Sequence, residues 1–160
     1  MTVTINGSGS INGISDPIAI ASRTGSTQAL PDATFTVVLF NTELVDTHSF
    51  YDPATGKFQP NIAGYYQVNW RLSINATGGN AINTVSVLRK NGVDYRQGTQ
   101  LVNTSNLTSF LGSTGSCIVL LNGTTDYLEV LAYSDNVSGA GTINTGADAT
   151  AVDFKLVQRT

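Results

Sequence analysis

One uninterrupted run, Tyr65 to Ile74, constrains the fold of this chain more than any other segment. Tyr66, Val68, Trp70, Leu72 and Ile74 alternate with Tyr65, Gln67, Asn69, Arg71 and Ser73. A period of two puts the first set on one face of an extended strand and the second on the other, so the run reads as a half-buried β-strand. The same alternation recurs in Phe35, Val37 and Leu39, in Val85 and Val87, in Leu128 and Val130, and in Val152, Phe154 and Leu156. No segment has the spacing of an amphipathic helix. Asn91-Gly92 and Asn122-Gly123 tolerate positive φ at both central turn positions, and both are expected to close tight antiparallel hairpins. Short strands with regular turns predict an all-β, antiparallel β-sandwich or barrel.

The chain has 160 residues, enough for one core without disulfide staples. Its one cysteine, Cys117, lies in the apolar run Cys117-Ile118-Val119-Leu120-Leu121 and reads as a small core residue. The opening differs in character: Ile5-Asn6-Gly7-Ser8 is echoed by Ile11-Asn12-Gly13-Ile14 before Asp16-Pro17, too small and glycine-rich to hold a core. Residues 1-32 are therefore expected to be a short extended N-terminal arm and linker, and 33-160 the domain. Residues 75-84, 99-114 and 134-149, rich in Gly, Asn, Ser and Thr, are expected to be exposed loops at the ends of the sandwich. Three runs look apolar on both faces: Val37-Val38-Leu39-Phe40, Ile118-Val119-Leu120-Leu121 and Leu128-Glu129-Val130-Leu131. Either they are central strands covered within one chain, or another subunit covers an outer sheet face; the second reading is preferred.

Charge and chemistry exclude several classes. Lys+Arg number 8 against Asp+Glu 11, a net charge of -3, so the chain has no basic footprint for nucleic acid. Charged residues are only 12% of the chain, against a usual share of about 25%, and Thr, Ser, Asn and Gly take their place. No secretory signal or membrane-spanning run is read, and no membrane partner is expected. His48 is the only histidine, which rules out a multi-histidine metal cluster and leaves a nucleophile little choice of base. The acidic residues are scattered singly rather than facing one another as hydrolysis of a glycoside requires. No catalytic residue, metal site or cofactor is expected.

Several landmarks then fall in order. Phe35-Thr36-Val37 comes first, then Tyr51-Asp52-Pro53-Ala54-Thr55-Gly56-Lys57-Phe58 and Ile62-Ala63-Gly64-Tyr65-Tyr66-Gln67-Val68. Leu88-Arg89-Lys90-Asn91-Gly92, Ser113 to Leu121, Asp126-Tyr127-Leu128-Glu129-Val130 and Val152 to Val157 follow. This series resembles the globular head of complement C1q and the tumour-necrosis-factor-like jelly rolls, over residues 33-158. The resemblance implies a ten-stranded jelly roll that forms homotrimers, with the sheet holding the first, last and Gly-x-Tyr strands turned toward the threefold axis. The collagen-like stalk of animal members has no counterpart here, so complement function is not carried over.

With that orientation, alternation turns Tyr65, Gln67, Asn69 and Arg71 outward toward the axis, and the same rule adds Phe40, Tyr127 and Glu129 to the expected trimer interface. The arm Thr2 to Ile11 resembles the beginnings of bacteriophage virion proteins. Together these predict a trimeric decoration (cement) protein on the outer capsid surface of a virion, made in the host cytoplasm. Its partners are its own copies and the major capsid protein, which it binds through arm residues Val3, Ile5 and Ile11. The alternative is the receptor-binding head of a phage tail fibre or tailspike, reading a host surface glycan or receptor. The jelly roll follows closely on Met1, with no fibre shaft ahead of it, which favours decoration.

Overall fold

The computed structural model describes residues 16-76, 81-102 and 111-160. In chain order the strands among them are β1 (Ile18–Ser22), β2 (Gln28–Leu30), β3 (Thr36–Val37), β4 (Thr42–Asp46), β5 (Tyr51–Asp52), β6 (Lys57–Phe58) and β7 (Gly64–Ala76). β8 (Ala81–Lys90), β9 (Val93–Val102), β10 (Leu111–Leu121), β11 (Leu128–Asn136), β12 (Gly141–Ile143) and β13 (Ala151–Arg159) complete the order. The described residues contain no helix. A seven-stranded sheet runs β2-β12-β7-β13-β1-β4, with β10 also paired to β7. A six-stranded sheet runs β5-β6-β11-β8-β9, with β3 also paired to β11. Neighbouring strands are antiparallel throughout, so the fold is the antiparallel β-sandwich that the periodicity predicts. Several short pieces bring the strand total above the expected ten.

The core lies between the sheets and is built from the alternating residues. Tyr66, Val68, Trp70, Leu72 and Ile74 on β7 are all buried, as are Val152, Phe154 and Leu156 on β13. Aromatic rings bridge the layers: Phe58 of the second sheet stacks on Phe154 of the first at 4.2 Å and meets Tyr66 edge-on at 5.5 Å. Pairs of this kind contribute about 0.5–1.5 kcal/mol each beyond their buried area. Burial pushes the Tyr66 phenol up to about 12, and its hydroxyl donates to the Ile62 carbonyl at 2.8 Å. A second tie between the sheets is polar. Trp70 Nε1 donates to Ser86 Oγ at 2.8 Å, Ser86 and Ser113 share a hydroxyl contact of 2.6 Å, and Ser113 Oγ donates to the Thr99 carbonyl at 2.7 Å.

The chain crosses from β3 to β4 through residues 38-41, which form no strand. Side chains take up much of its backbone polarity, as buried peptide groups demand. Gln28 donates to Val37 O and accepts from Leu39 N, Arg23 Nη1 donates to Leu39 O, and Phe40 N donates to the Tyr51 hydroxyl.

Three sequence expectations change. The sandwich begins at β1 and β2, inside the stretch read as linker: Ala19, Ala21 and Leu30 are core residues, and β1 lies between β13 and β4. The region 75-84 holds the end of β7 and the start of β8, and 99-114 holds the ends of β9 and β10, so the connections are shorter than read. Asn91 and Gly92 both have positive φ and close the β8–β9 hairpin as expected. Asn122-Gly123 instead opens a longer turn that carries the chain from one sheet to the other. Asn122 Oδ1 accepts from the backbone N–H of Thr124, Thr125 and Asp126 there.

Trp70 dictates one glycine. A Cβ on Gly115, its cross-strand partner, would sit 1.9 Å from Trp70 Cζ2, whereas a Cβ on Gly112 of the same strand would meet nothing within 4 Å. Gly115→Ala should therefore cost about 1–3 kcal/mol through overpacking, and Gly112→Ala should stay within roughly 0.5 kcal/mol of the parent. Urea unfolding midpoints measured at constant slope check the pair.

Candidate functional site: an exposed sheet face

The outer face of the seven-stranded sheet follows from the register. Tyr65, Gln67, Asn69 and Arg71 stand in one row on β7 because their alternating neighbours fill the core. Across β10 they face Leu120, Ile118, Ser116 and Thr114 in turn, and across β13 Gln67, Asn69 and Arg71 face Lys155, Asp153 and Ala151. Ile18 and Ile20 of β1 extend the rows beyond Lys155 and Asp153. Ile118 is 52%, Leu120 44% and Tyr65 39% exposed, an apolar edge at the Gly64 end of the sheet. Next to it β7 and β10 carry an uncharged polar cluster: Gln67 Nε2 donates to Asn69 Oδ1 at 3.0 Å and to Ser116 Oγ at 2.8 Å, and Ser116 Oγ donates to Asn69 Oδ1 at 2.8 Å. At the other end a shallow hollow of about 110 Å³ is lined by Asn69, Trp70, Arg71, Ala151 and Asp153. Arg71 Nη2 donates to Ala147 O at 2.6 Å beside it.

Of the residues expected at a self-association surface, Tyr65, Gln67, Asn69 and Arg71 are thus brought together. Phe40 is not: it is 1% exposed in the core, together with Val38, while Phe35, Val37 and Leu39 face the other way. The run from Val37 to Phe40 is apolar on both sides, so alternation gives no phase there. Tyr127 and Glu129 also fall elsewhere. Tyr127 immediately precedes β11 and Glu129 lies on it, in the six-stranded sheet, with Lys57 Nζ 4.3 Å from the centre of the Tyr127 ring. Val3, Ile5 and Ile11 lie outside the described residues.

The two-sided apolar strands divide in the same way. The outward residues of β11 and β8, Leu131, Val85 and Val87, are buried within the chain. Leu131 pairs with Val37 and Val87, while Phe35 packs on Tyr133 at 4.9 Å. Only β10, of the three runs, leaves its outward pair Ile118 and Leu120 uncovered. Its apolar character was visible in the sequence; the contributions of Ile18, Ile20, Asp153 and Lys155 to the same face were not read. Cys117 points inward opposite Val68, half-buried, and burial pushes its thiol up. No group of three or more His, Cys, Asp or Glu that could hold a metal ion occurs among the described residues.

A model of the C1q domain family matches residues 20-147. The chain belongs to the C1q domain family. Among solved structures, the globular domain of a zebrafish complement 1qA protein superposes with a TM-score of 0.63 at 15% identity, covering 90% of this chain and 99% of that one. Eiger TNF from S. frugiperda gives 0.68 at 11% identity, covering 91% and 94%, and murine APRIL gives 0.65 at 9%, covering 89% and 100%. Identities this low show the shared jelly-roll fold. No curated protein matches the chain in sequence.

In this C1q domain both described chain ends lie at the Gly64 end. Gly64 is paired with Leu121 and Arg159, Asp16 sits 3.4 Å from Arg159, and Thr160 N donates to Ala63 O. Asp126 ties the turns of that end together. Its carboxylate accepts from Asn91 Nδ2 at 2.7 Å and Asn122 N at 3.0 Å, with Lys90 Nζ 2.9 Å away. Burial alone would push this carboxyl up, but the bonds from Lys90, Asn91 and Asn122 outweigh it and hold it below the ordinary carboxylate range. A depressed folded-state value means stabilisation that is present above about pH 4 and lost as pH falls through the folded value. Asp126→Ala should cost about 1–3 kcal/mol at pH 7 by orphaning those donors. The gap to the parent should narrow on acidification below pH ~4, as urea unfolding at the two pH values will read.

Proposed function

We propose that this C1q domain is a non-catalytic structural protein that assembles as a homotrimer through the outer face of its seven-stranded sheet, and that the trimer decorates and stabilises the outer surface of a bacteriophage capsid. The observation that carries the reading is the exposed row of Tyr65, Ile118 and Leu120 beside the hydrogen-bonded Gln67, Asn69 and Ser116, on the sheet that holds β1, β7 and β13. Apolar surface of this kind is stabilised by burial at roughly 25 cal/mol per Å², and a second copy of the same chain is a partner always at hand. Membership of the C1q domain family supports the threefold form of that assembly.

The position of the chain ends supports attachment at one pole. Asp16 and Thr160 both lie at the Gly64 end, so a trimer brings three copies of the preceding arm to the same side. Three weak arm contacts then act together through effective concentration. Strand-forming residues such as Val3 and Ile5 suit pairing with an exposed edge of the major capsid protein. A receptor-binding head is the second reading. What favours it is the opposite pole, where Gly, Ser, Asn and Thr dominate the connections on both sides of β12.

Light scattering at micromolar concentration should report three copies, and Ile118→Asp with Leu120→Asp should convert them to folded monomers. Removal of residues 1-16 should leave the trimer intact and abolish its sedimentation with purified capsids. A truncated trimer that still coats capsids, or an intact protein found only at the tail, would put the receptor-binding reading in its place.

A further inference from the structure

Asp153 and Lys155 are the unmatched charges of the self-association face. They stand two residues apart on β13, so both point outward, and the register sets them in the middle of the sheet: Lys155 between Gln67 and Ile18, Asp153 between Asn69 and Ile20. Both are exposed, and neither side chain has a hydrogen bond or ion pair with any described residue, their own neighbour in the row included. Arg71, across the hollow from Asp153, directs its guanidinium to Ala147 O and lies beyond ion-pair distance. Apart from Arg71, whose guanidinium is held by Ala147 O, the rows of this face are apolar or neutral, and one free anion and one free cation there are unfavourable to bury singly, because each loses its hydration.

We propose that Asp153 of one copy pairs with Lys155 of the next, and that this pair sets the register of the assembly. The inference rests on the self-association reading given above. The contact in a cyclic trimer is heterologous, so a residue off the axis meets a different residue on its neighbour. Asp153 or Lys155 placed at the axis would meet its own copies and be repelled. The Gln67, Asn69 and Ser116 cluster carries both donors and acceptors without net charge, so it tolerates its own copies and can occupy the axial position. The charges flanking it are then left to meet across the interface, each supplying what the other lacks, and a slipped register would bury both unpaired.

Charge exchange tests the pairing. Asp153→Lys alone and Lys155→Asp alone each create a like-charge contact at every interface, while the double exchange Asp153→Lys with Lys155→Asp restores opposite charges with the polarity reversed. Analytical ultracentrifugation should show each single variant dissociating at a concentration about tenfold or more higher than the parent, and the double exchange returning most of that loss. Added salt should weaken the parent and leave a neutral Asp153→Asn, Lys155→Gln protein less affected. Both side chains are exposed in one chain, so circular dichroism should find every variant folded. Single variants that associate as the parent does, or a double exchange that restores nothing, would overturn the ion pair while leaving self-association standing. A parent that is monomeric would instead overturn the self-association reading on which the pair depends.

Discussion

Trp70 fixes the relation between the two sheets. Its indole N–H reaches Ser86 in the opposite layer, and the hydroxyl chain from Ser86 through Ser113 to the Thr99 carbonyl joins β7, β8, β10 and β9 in one directional network. Ring stacking and burial pull layers together without specifying their offset; a hydrogen-bonded indole in a closed space does specify it. The consequence runs outward along the sequence. With Trp70 locked inward, the parity of β7 is set, Gly115 must be bare to admit the ring, and Tyr65, Gln67, Asn69 and Arg71 are turned to the outside. The proposed interaction face is thus the reverse side of a core constraint.

That dependence explains which parts of the structure were legible in the sequence. β7 alternates cleanly between apolar and polar residues, so both its core set and its outer set were readable. Val37 to Phe40 is apolar in every position, and a period of two cannot say which half faces in; the structure puts Val38 and Phe40 inside. Tyr127 and Glu129 have the outward parity expected of them, but parity does not name the sheet. Only pairing does, and β11 pairs with β8, β6 and β3. β1 was missed because its inward residues, Ala19 and Ala21, are small, and its neighbours Ser15, Asp16 and Pro17 read as linker. The far end of β9, residues 99-102, was read as loop for another reason: as the edge of its sheet the strand is mostly exposed and polar.

Edge strands are a hazard to which this fold responds unevenly. Beside β9, the Thr99 hydroxyl donates to Thr114 O, Ser113 Oγ donates to Thr99 O and the Tyr95 hydroxyl donates to Ile118 O, so side chains bridge its edge to β10 and close the sandwich on that side. β4, the outer edge of the other sheet among the described residues, pairs there only with β1 and exposes Leu44 and Val45. A free edge with apolar side chains invites another strand. β4 is only five residues long, and the bulge in its pairing between Ile20 and Ala21 interrupts the regular ladder that an added strand would need.

The distribution of polarity on the outer face bears on why association through it would be selective. A uniformly apolar face would bind any apolar surface presented to it, its own copies in any register included. Here the apolar residues are confined to the flanks, and beside them is a cluster whose members bond one another within one chain. Gln67 Oε1 and Asn69 Nδ2 make no bond among the described residues, so burying the cluster would cost least in an arrangement that keeps its existing bonds and gives these two groups partners on another copy. Arrangements that break them, or that set apolar side chains of a stranger against Gln67 and Asn69, lose that protection. In the proposed assembly apolar area would supply the drive toward contact, while the polar cluster and the charges beside it would penalise the wrong contacts. A chain poor in charge overall, at 12% of residues, leaves few ionic groups on this face, and with Arg71 held by Ala147 O the placement of a single Asp and a single Lys would distinguish one register from another under the proposed pairing.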